Sequence, residues 1–493
     1  MADKTDQASL GRANDLLLAG ESAAAGLMFA RLLAEHPDHP DVLHGLGVLA
    51  WQGGRIAEAR AYLQKAVAGS QHPALYLSLL GEVERQGGDL AAAESCLVTA
   101  LGLAPDLAEA HCNLGVVRLV QEQYIKAAGN FLEAIRIKPE MALAHYNLGI
   151  AFKEINRLDD AIECYRTAIT LKADFVEAHV NLAIALLLAG QLEQGFAEYE
   201  WRRRPPFMPL VTHAQPEWDG QVDPEGVLLL RTEQGVGDTL QFARYLPFIA
   251  AAGMKVIVEC RPELERLLRS VDGVSATCRP GEPTPAHTAQ LPLASLPRLF
   301  ATRIESIPAN VPYLHPHQEE VSLWQERLLA EGETIKVGLC WAGNPNNSED
   351  HRRSCALALF SGLGGIDRLS LISLQKDRLS AADQSTAEQL GLVDYARYLH
   401  DFADTAALIA NLDLVIAVDT AVLHLAAALG VPTWGLLRFS PHWPWLLGRD
   451  DSPWYPSLRL FRQSRPGDWL AVADQVVALL TGAMDDARDG GTT

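Results

Sequence analysis

A 34-residue period runs through the first 200 residues, and it limits the fold more than any other feature of the chain. Leucine stands at 46, 80, 114, 148 and 182, and glycine follows it at 47, 81, 115 and 149, with Ala183 continuing that column. Alanine fills 25, 59, 93, 127 and 161, a second alanine column runs through 66, 100, 134 and 168, and proline recurs at 37, 105 and 139. A unit this short cannot bury its own apolar face, so such units must stack on one another. The spacing predicts two antiparallel helices per repeat. Gly and Ala stand where the helices approach closely, Leu in the core, and Pro at the end of the second helix.

These columns resemble the tetratricopeptide repeat, with small residues at its eighth and twentieth positions and proline near its end. The resemblance covers 6–204 as an α-helical solenoid of five full repeats and a partial sixth, and it implies a protein-binding groove. Counting Leu114 as the seventh position, the sixth is Asn113, and the same column holds Asn147 and Asn181, after Gly11, Gly45 and Leu79 in the earlier repeats. An Asn amide carries both donors and an acceptor, so a row of them one repeat apart can grip the backbone of an extended peptide. The alternative is that they cap or solvate a helix face. The run Ala144-His145-Tyr146-Asn147-Leu148-Gly149 resembles the asparagine ladder of the protein O-GlcNAc transferases.

Charge narrows the class of partner. With 61 acidic against 41 basic side chains the formal charge is −20, which repels a nucleic-acid backbone. The run Arg202-Arg203-Arg204 is therefore expected to be a charged helix end. Seven scattered cysteines without a Cys-x-x-Cys pair fit a reducing compartment and give neither a disulfide framework nor a zinc site. Met1–Leu10 has no secretory h-region, and the longest apolar run, 182–189, is too short to span a membrane. A soluble, cytoplasmic protein is the expectation.

After Pro205-Pro206 the pattern changes to alternating strands and helices, which indicates parallel sheets. Two βα series predict two Rossmann-like α/β domains, 205–317 and 318–482, followed by a flexible tail, 483–493. Three loops at strand ends carry candidate chemistry. The first, Glu233-Gln234-Gly235-Val236-Gly237-Asp238, joins a strand to a helix. Its Gly235 and Gly237 permit close approach of a ligand, and Asp238 stands at or near the helix N-cap, as cap or as base. The second is Asp419-Thr420 with His424 one turn later. It ends a strand and opens a helix whose N–H groups and Thr420 hydroxyl suit a phosphate, while Asp419 suits sugar hydroxyls or capping. The third is the loop from Trp341, Gly343 and Asn344 to His351, Arg352, Arg353 and Ser354, where arginine can neutralise a diphosphate. No residues have metal-ligand spacing.

Trp218-Asp219-Gly220, 229–235, 337–345 and Val418-Asp419-Thr420-Ala421 resemble the heptosyltransferase-like glycosyltransferases of family nine, and so do Asp404-Thr405 and 452–456. The chain is especially similar to bacterial proteins that fuse this domain to tetratricopeptide repeats. The resemblance implies a GT-B fold of two Rossmann-like domains, with the nucleotide-sugar donor on the second and the acceptor toward the first. It also implies no metal, no cofactor, and inversion at the anomeric carbon. Asp238 matches the family's base, and Asp419 and His424 match residues beside donor sugar and phosphates. Ser373 and Gln375 end a strand where the nucleotide is expected. His351 and Glu233 are the next candidates for the base. The chain departs from the resemblance at Ser440-Pro441-His442-Trp443-Pro444-Trp445, where a basic run is expected. The function implied is transfer of a sugar to a hydroxyl of a protein held by the solenoid, with flagellin a reasonable acceptor. The rivals are a scaffold with an inactive GT-B domain, and lipopolysaccharide core synthesis.

Overall fold

The computed structural model describes residues 2–209, 214–376 and 379–489, with side chains from 7 to 485. The chain forms two compact units, 1–182 and 183–493.

The first unit is a stack of antiparallel helix pairs, among them Ala74–Gln86 with Leu90–Leu103 and Ala108–Val120 with Tyr124–Ile137. The glycine column has a packing cause. A Cβ on Gly115 would stand 2.5 Å from the Phe131 ring, and one on Gly149 2.6 Å from Tyr165, so the first helix presses its backbone onto an aromatic side chain of the second. The turns between paired helices repeat as well. Gly20, Gly54 and Gly88 are left-handed there, and Glu122 (φ 59°) and Asn156 (φ 60°) hold the same conformation in the next two repeats without glycine's freedom.

The division falls between Leu182 and Ala183 rather than near 205. The helix Leu192–Tyr199 packs on Leu296–Leu299 and runs straight into the 3₁₀ turn Glu200–Arg203, so this stretch belongs to the α/β unit. In that turn Arg202 is buried, Arg203 pairs with Glu200 and Glu217, and the Arg204 guanidinium lies 3.8 Å above the Trp201 ring. The run is thus the end of a helix, held by carboxylates and an aromatic face.

The second unit contains two sheets with every neighbouring pair parallel. In the first, β1 (Val227–Arg231), β2 (Lys255–Glu259), β3 (Val274–Cys278) and β4 (Ala289–Pro292) lie in the order β3-β2-β1-β4. In the second, β5 (Ile335–Cys340), β6 (Leu369–Ser373), β7 (Val393–Asp394), β8 (Leu414–Val418), β9 (Thr433–Leu437) and β10 (Leu458–Arg462) lie in the order β10-β9-β8-β5-β6-β7. Both sheets wind outward one way from their first strand and then return to its other side. That reversal opens a crevice at the carboxyl ends of β1 and β4, and of β5 and β8, where open parallel sheets take ligands. β8 is buried along its whole length, as a central strand covered on both faces must be. The last helix, Trp469–Asp489, continues through the segment expected to be a tail, and 490–493 lie outside the described residues.

Candidate active site

The loop leaving β1 delivers Gly235 as the N-cap of helix Val236–Phe242, which makes Asp238 the third residue inside the helix rather than the cap itself. Its carboxylate reaches back to accept the Gly235 N–H at 3.1 Å. Gly237 faces helix Ala421–Ala428, and a Cβ there would stand 2.9 Å from Cδ2 of His424. The absence of a side chain at 237 is what lets the two helix starts touch. Burial pushes the Asp238 carboxyl above the usual carboxylate range, the charge on Asp419 adds to the rise, and His442 and the Gly235 N–H oppose it. Asp419 is half-buried at the end of β8 and accepts no hydrogen bond from any described residue, so both of its oxygens remain available.

Around this pair several expected ligand groups are committed to structure. The Thr420 hydroxyl turns inward, donating to Val418 O at 3.2 Å and lying 3.7 Å from Cys340 Sγ, so the helix start offers backbone N–H groups without that side chain. His424 is 4% exposed, with Nδ1 2.9 Å from the Tyr455 hydroxyl and its ring 4.8 Å from Trp445. Burial lowers its pKa to about 3, so it is a neutral interface side chain and not a cation for phosphates. Ser373 is fully buried, and Trp341 lies in the core of the second sheet. Gln375 braces the loop after β5, its Oε1 accepting the Ala342 N–H at 3.2 Å and the Cys340 thiol at 3.1 Å.

The loop from 341 to 354 is tied together from within. Ser354 Oγ accepts the Gly343 N–H at 3.0 Å and donates to Asp350 at 2.8 Å, and Arg353 pairs with that carboxylate at 2.9 Å. Asn344 Oδ1 closes a turn on the Asn346 N–H, and Arg352 and Arg438 share Glu349. His351 is exposed, with Nδ1 bonded to Ser348 O at 2.8 Å. The arginines meant for a diphosphate thus have carboxylate partners already. Glu233 also leaves the list of bases. Its side chain is 7% exposed and accepts from Arg202 Nη2 at 2.7 Å.

Of the asparagines, Asn147 is buried, which removes it from the groove surface. Asn113 reaches back toward Ser78 O at 3.5 Å, while Asn181 donates to the Tyr146 hydroxyl at 3.2 Å and to Glu177 O at 3.0 Å. Asn113 and Asn181 thus each join neighbouring repeats, and each keeps its acceptor oxygen.

Two interface residues carried no motif. Arg244, buried one and a half turns beyond Asp238, donates to Trp454 O at 2.6 Å, Gln241 O at 2.7 Å and the Tyr313 hydroxyl at 3.1 Å. It lies over Tyr455 at 4.5 Å and has no carboxylate partner among the described residues. His442, half-buried beside Trp443, is the other. The only signal of it in the sequence was its place in the segment that departs from the expected basic run.

Comparison with known proteins finds two kinds of family along the chain. Residues 16–83, 78–142 and 151–190 match tetratricopeptide repeats, and residues 400–466 match glycosyltransferase family 9 (heptosyltransferase). The chain joins tetratricopeptide repeats to a heptosyltransferase-like domain. The family match spans Asp419, His424, His442 and Tyr455. Protein FlbA of Caulobacter vibrioides is 28% identical over 326 residues, 60% of this chain and 53% of FlbA. The chain thus spans about half the length of that relative. Among solved structures, the Cut9–Hcn1 hetero-tetramer of the APC/C is 19% identical, with a TM-score of 0.39 over 40% of this chain and 39% of that one. A thermophilic tetratricopeptide protein of Thermus thermophilus is 25% identical, with a TM-score of 0.33 over 37% of this chain and 99% of its own. Among the described residues, no helix is long and apolar enough to cross a membrane, and no three His, Cys, Asp or Glu side chains cluster as metal ligands.

Proposed function

We propose that the glycosyltransferase domain moves a sugar from a nucleotide-sugar donor to a hydroxyl of a protein acceptor captured by the repeats, flagellin being one candidate. The observation that carries this reading is the half-buried carboxyl of Asp238, raised above its ordinary range chiefly by desolvation, on a helix start that meets the start of helix Ala421–Ala428. The donor lobe is 318–482 and the acceptor side 205–317. Asp238 takes the proton of the acceptor hydroxyl as that oxygen bonds to the anomeric carbon. The bond to the diphosphate breaks with its electrons, and the negative leaving group is stabilised by the N–H groups that open helix Ala421–Ala428. Asp419 accepts hydroxyls of the sugar. Displacement in one step inverts the anomeric carbon, and no metal ion takes part.

The test is Asp238→Asn, assayed for transfer to candidate acceptors by mass spectrometry and for nucleoside diphosphate binding by thermal shift in chelator. A base contributes about 10²–10⁴-fold. The variant is therefore expected to bind the nucleotide normally and to lose turnover on that scale. Near-normal transfer sinks the assignment of Asp238. Failure of the wild-type chain to bind any nucleoside diphosphate at millimolar concentration turns the reading to an inactive scaffold.

A further inference from the structure

The two lobes of the second unit meet through two neighbouring pairs of elements. Helix Val236–Phe242, which follows β1, packs on helix Ala421–Ala428, which leaves β8, with Gly237 against His424. The short helix Glu265–Leu268, which follows β2, packs on helix Phe402–Ile409, which leads into β8. β1 and β2 are adjacent strands, so the second contact stands one strand over from the site. One contact alone is a pivot, whereas two fix the angle between the lobes. Phe242, stacked on Trp443, and Arg244, bonded to Trp454 O, lie on the first helix or the turn that continues it, so they anchor the pivot itself.

The second contact is made by charge. Arg266 reaches from the first lobe into a socket of three carboxylates on the second. Its Nε and Nη2 grip both oxygens of Asp401 at 2.6 and 2.7 Å, Nη2 also donates to Asp404 at 2.6 Å, and Nη1 donates to Glu320 at 2.5 Å. Two of these acceptors are held in place by the second lobe itself. Asp401 caps helix Phe402–Ile409 by accepting the Ala403 and Asp404 N–H groups, and Asp404 reaches back to the His400 N–H at 2.9 Å. Glu320 stands on helix Gln318–Leu328, which Asn411 ties to the end of the capped helix by donating to Val321 O at 3.0 Å. Three acids converging on one point repel one another, and Arg266 is the cation they converge on. Exposed ion pairs contribute little, but here a bidentate fork meets carboxylates only 17% to 24% exposed.

We infer that Arg266 is a positioning residue, which braces the first lobe against the second and thereby fixes the angle at which Asp238 faces the start of helix Ala421–Ala428. The brace follows from these contacts, while its catalytic consequence rests on the glycosyl-transfer reading. Without it the lobes are free to turn about the Gly237 contact, and Asp238 turns with the pivoting helix.

The brace is tested without turnover by pulsed EPR on the full-length protein, with nitroxides attached through unnatural residues at the exposed Asp272 of one lobe and Glu388 of the other. The distance distribution is expected to broaden in Arg266→Met and further in Arg266→Glu, which adds a fourth acid. Arg266→Lys should lie between wild type and Met, because an ammonium cannot span the socket as the planar fork does. Glu320→Lys attacks the same socket from the second lobe and stands in for any Arg266 variant that does not fold. Combined with Arg266→Glu it restores an opposite-charge pair and should narrow the distribution again. A distribution unchanged in the folded variants, or a broadening by Arg266→Glu that Glu320→Lys does not reverse, overturns the brace. In active protein, a misplacement of about 1 Å far from the chemistry can lower turnover about 10²-fold. Arg266→Met is accordingly expected to lose kcat on that scale while the donor KM stays near wild type, with partial recovery in Arg266→Lys. A broadened distribution with kcat intact overturns the positioning role. A wild-type chain without transferase activity whose variants still broaden keeps the brace and refutes the glycosyl-transfer reading.

Discussion

Replacing Arg202 with methionine tests whether Glu233 is structure or chemistry. The guanidinium is 2% exposed and contacts Glu233 at 2.7 Å and Glu200 at 3.0 Å, and it also donates to Ser295 Oγ at 2.9 Å and Tyr199 O at 3.0 Å. The Glu233 carboxylate is nearly as buried, and its second oxygen has no partner, so Arg202 is what compensates its charge. Removing one member of a buried ion pair strands the other in low dielectric and costs about 3–5 kcal/mol. Glu233→Gln is milder, about 1–3 kcal/mol, because Arg202 keeps Glu200 and its neutral acceptors. The double variant Arg202→Met/Glu233→Leu removes both charges and should recover most of the loss. Urea unfolding followed by tryptophan emission is the assay, since nine of the ten tryptophans lie in the second unit. Arg202→Met also changes the acid dependence. Burial pushes the Glu200 carboxyl up, but Arg202, Ser295 and Arg298 pull it below its ordinary value on balance. The stability it contributes is present above the unfolded pKa and lost as pH falls through the folded one, so the variant should lose less on acidification. A loss below about 1 kcal/mol in Arg202→Met would refute the pairing argument. Glu233→Gln with unchanged stability and no transferase activity would restore Glu233 as a base.

Three further outcomes are expected. Asp238→Asn should be at least as stable as the wild type at neutral pH, because its carboxyl is raised on folding and the amide oxygen can still cap Gly235. A lower melting temperature would contradict this. His424 titrates at about 3 when folded, so the second unit should lose stability steadily as pH falls from about 6.5, the unfolded value, toward 3, and His424→Phe should flatten that slope. Asn113→Ala with Asn181→Ala should weaken acceptor capture by about 0.5–1.5 kcal/mol per lost hydrogen bond, with transfer to a short peptide unchanged, whereas an unchanged acceptor Kd would assign these amides to repeat stacking alone.

The repeat unit was legible because each helix pair solves the same packing problem, so its answer recurs every 34 residues. Left-handed Glu122 and Asn156 escaped because the pattern supplies glycine at that turn at 20, 54, 88 and 190 and other residues at the two positions between. In the α/β unit, strands with a continuous apolar run, such as β8, could be read directly. β3 could not, since it is short, mostly half-exposed and interrupted by Ser275 and Thr277, nor could β4, which emerges from a proline-rich stretch and ends in Pro292. Proline is tolerable there because β4 is an edge strand. At the site, spacing identified the loops but not the direction of their side chains. Thr420 has the right position and the wrong rotation, and Ser373 lies one residue too deep in its strand.

What the sequence could not show is that one contact organises the site. Gly237 against His424 brings the starts of two helices from different sheets together, and the size of the residue at 237 sets how close they come. Once they meet, the neighbouring groups are fixed in turn. His424 must be neutral because it is enclosed, Tyr455 holds its Nδ1, and Trp445 covers its face. Arg244 then carries the buried positive charge of the interface on carbonyls and a tyrosine hydroxyl instead of a carboxylate, which leaves Asp238 and Asp419 as the acidic groups at its open edge. Two carboxylates brought together without an arginine of their own repel each other, and that repulsion adds to burial in raising Asp238. A carboxyl so raised is a stronger proton acceptor than a solvated one, and the same repulsion is relieved when Asp238 takes up the acceptor's proton. The geometry that costs stability at the helix contact thereby favours proton transfer at its rim.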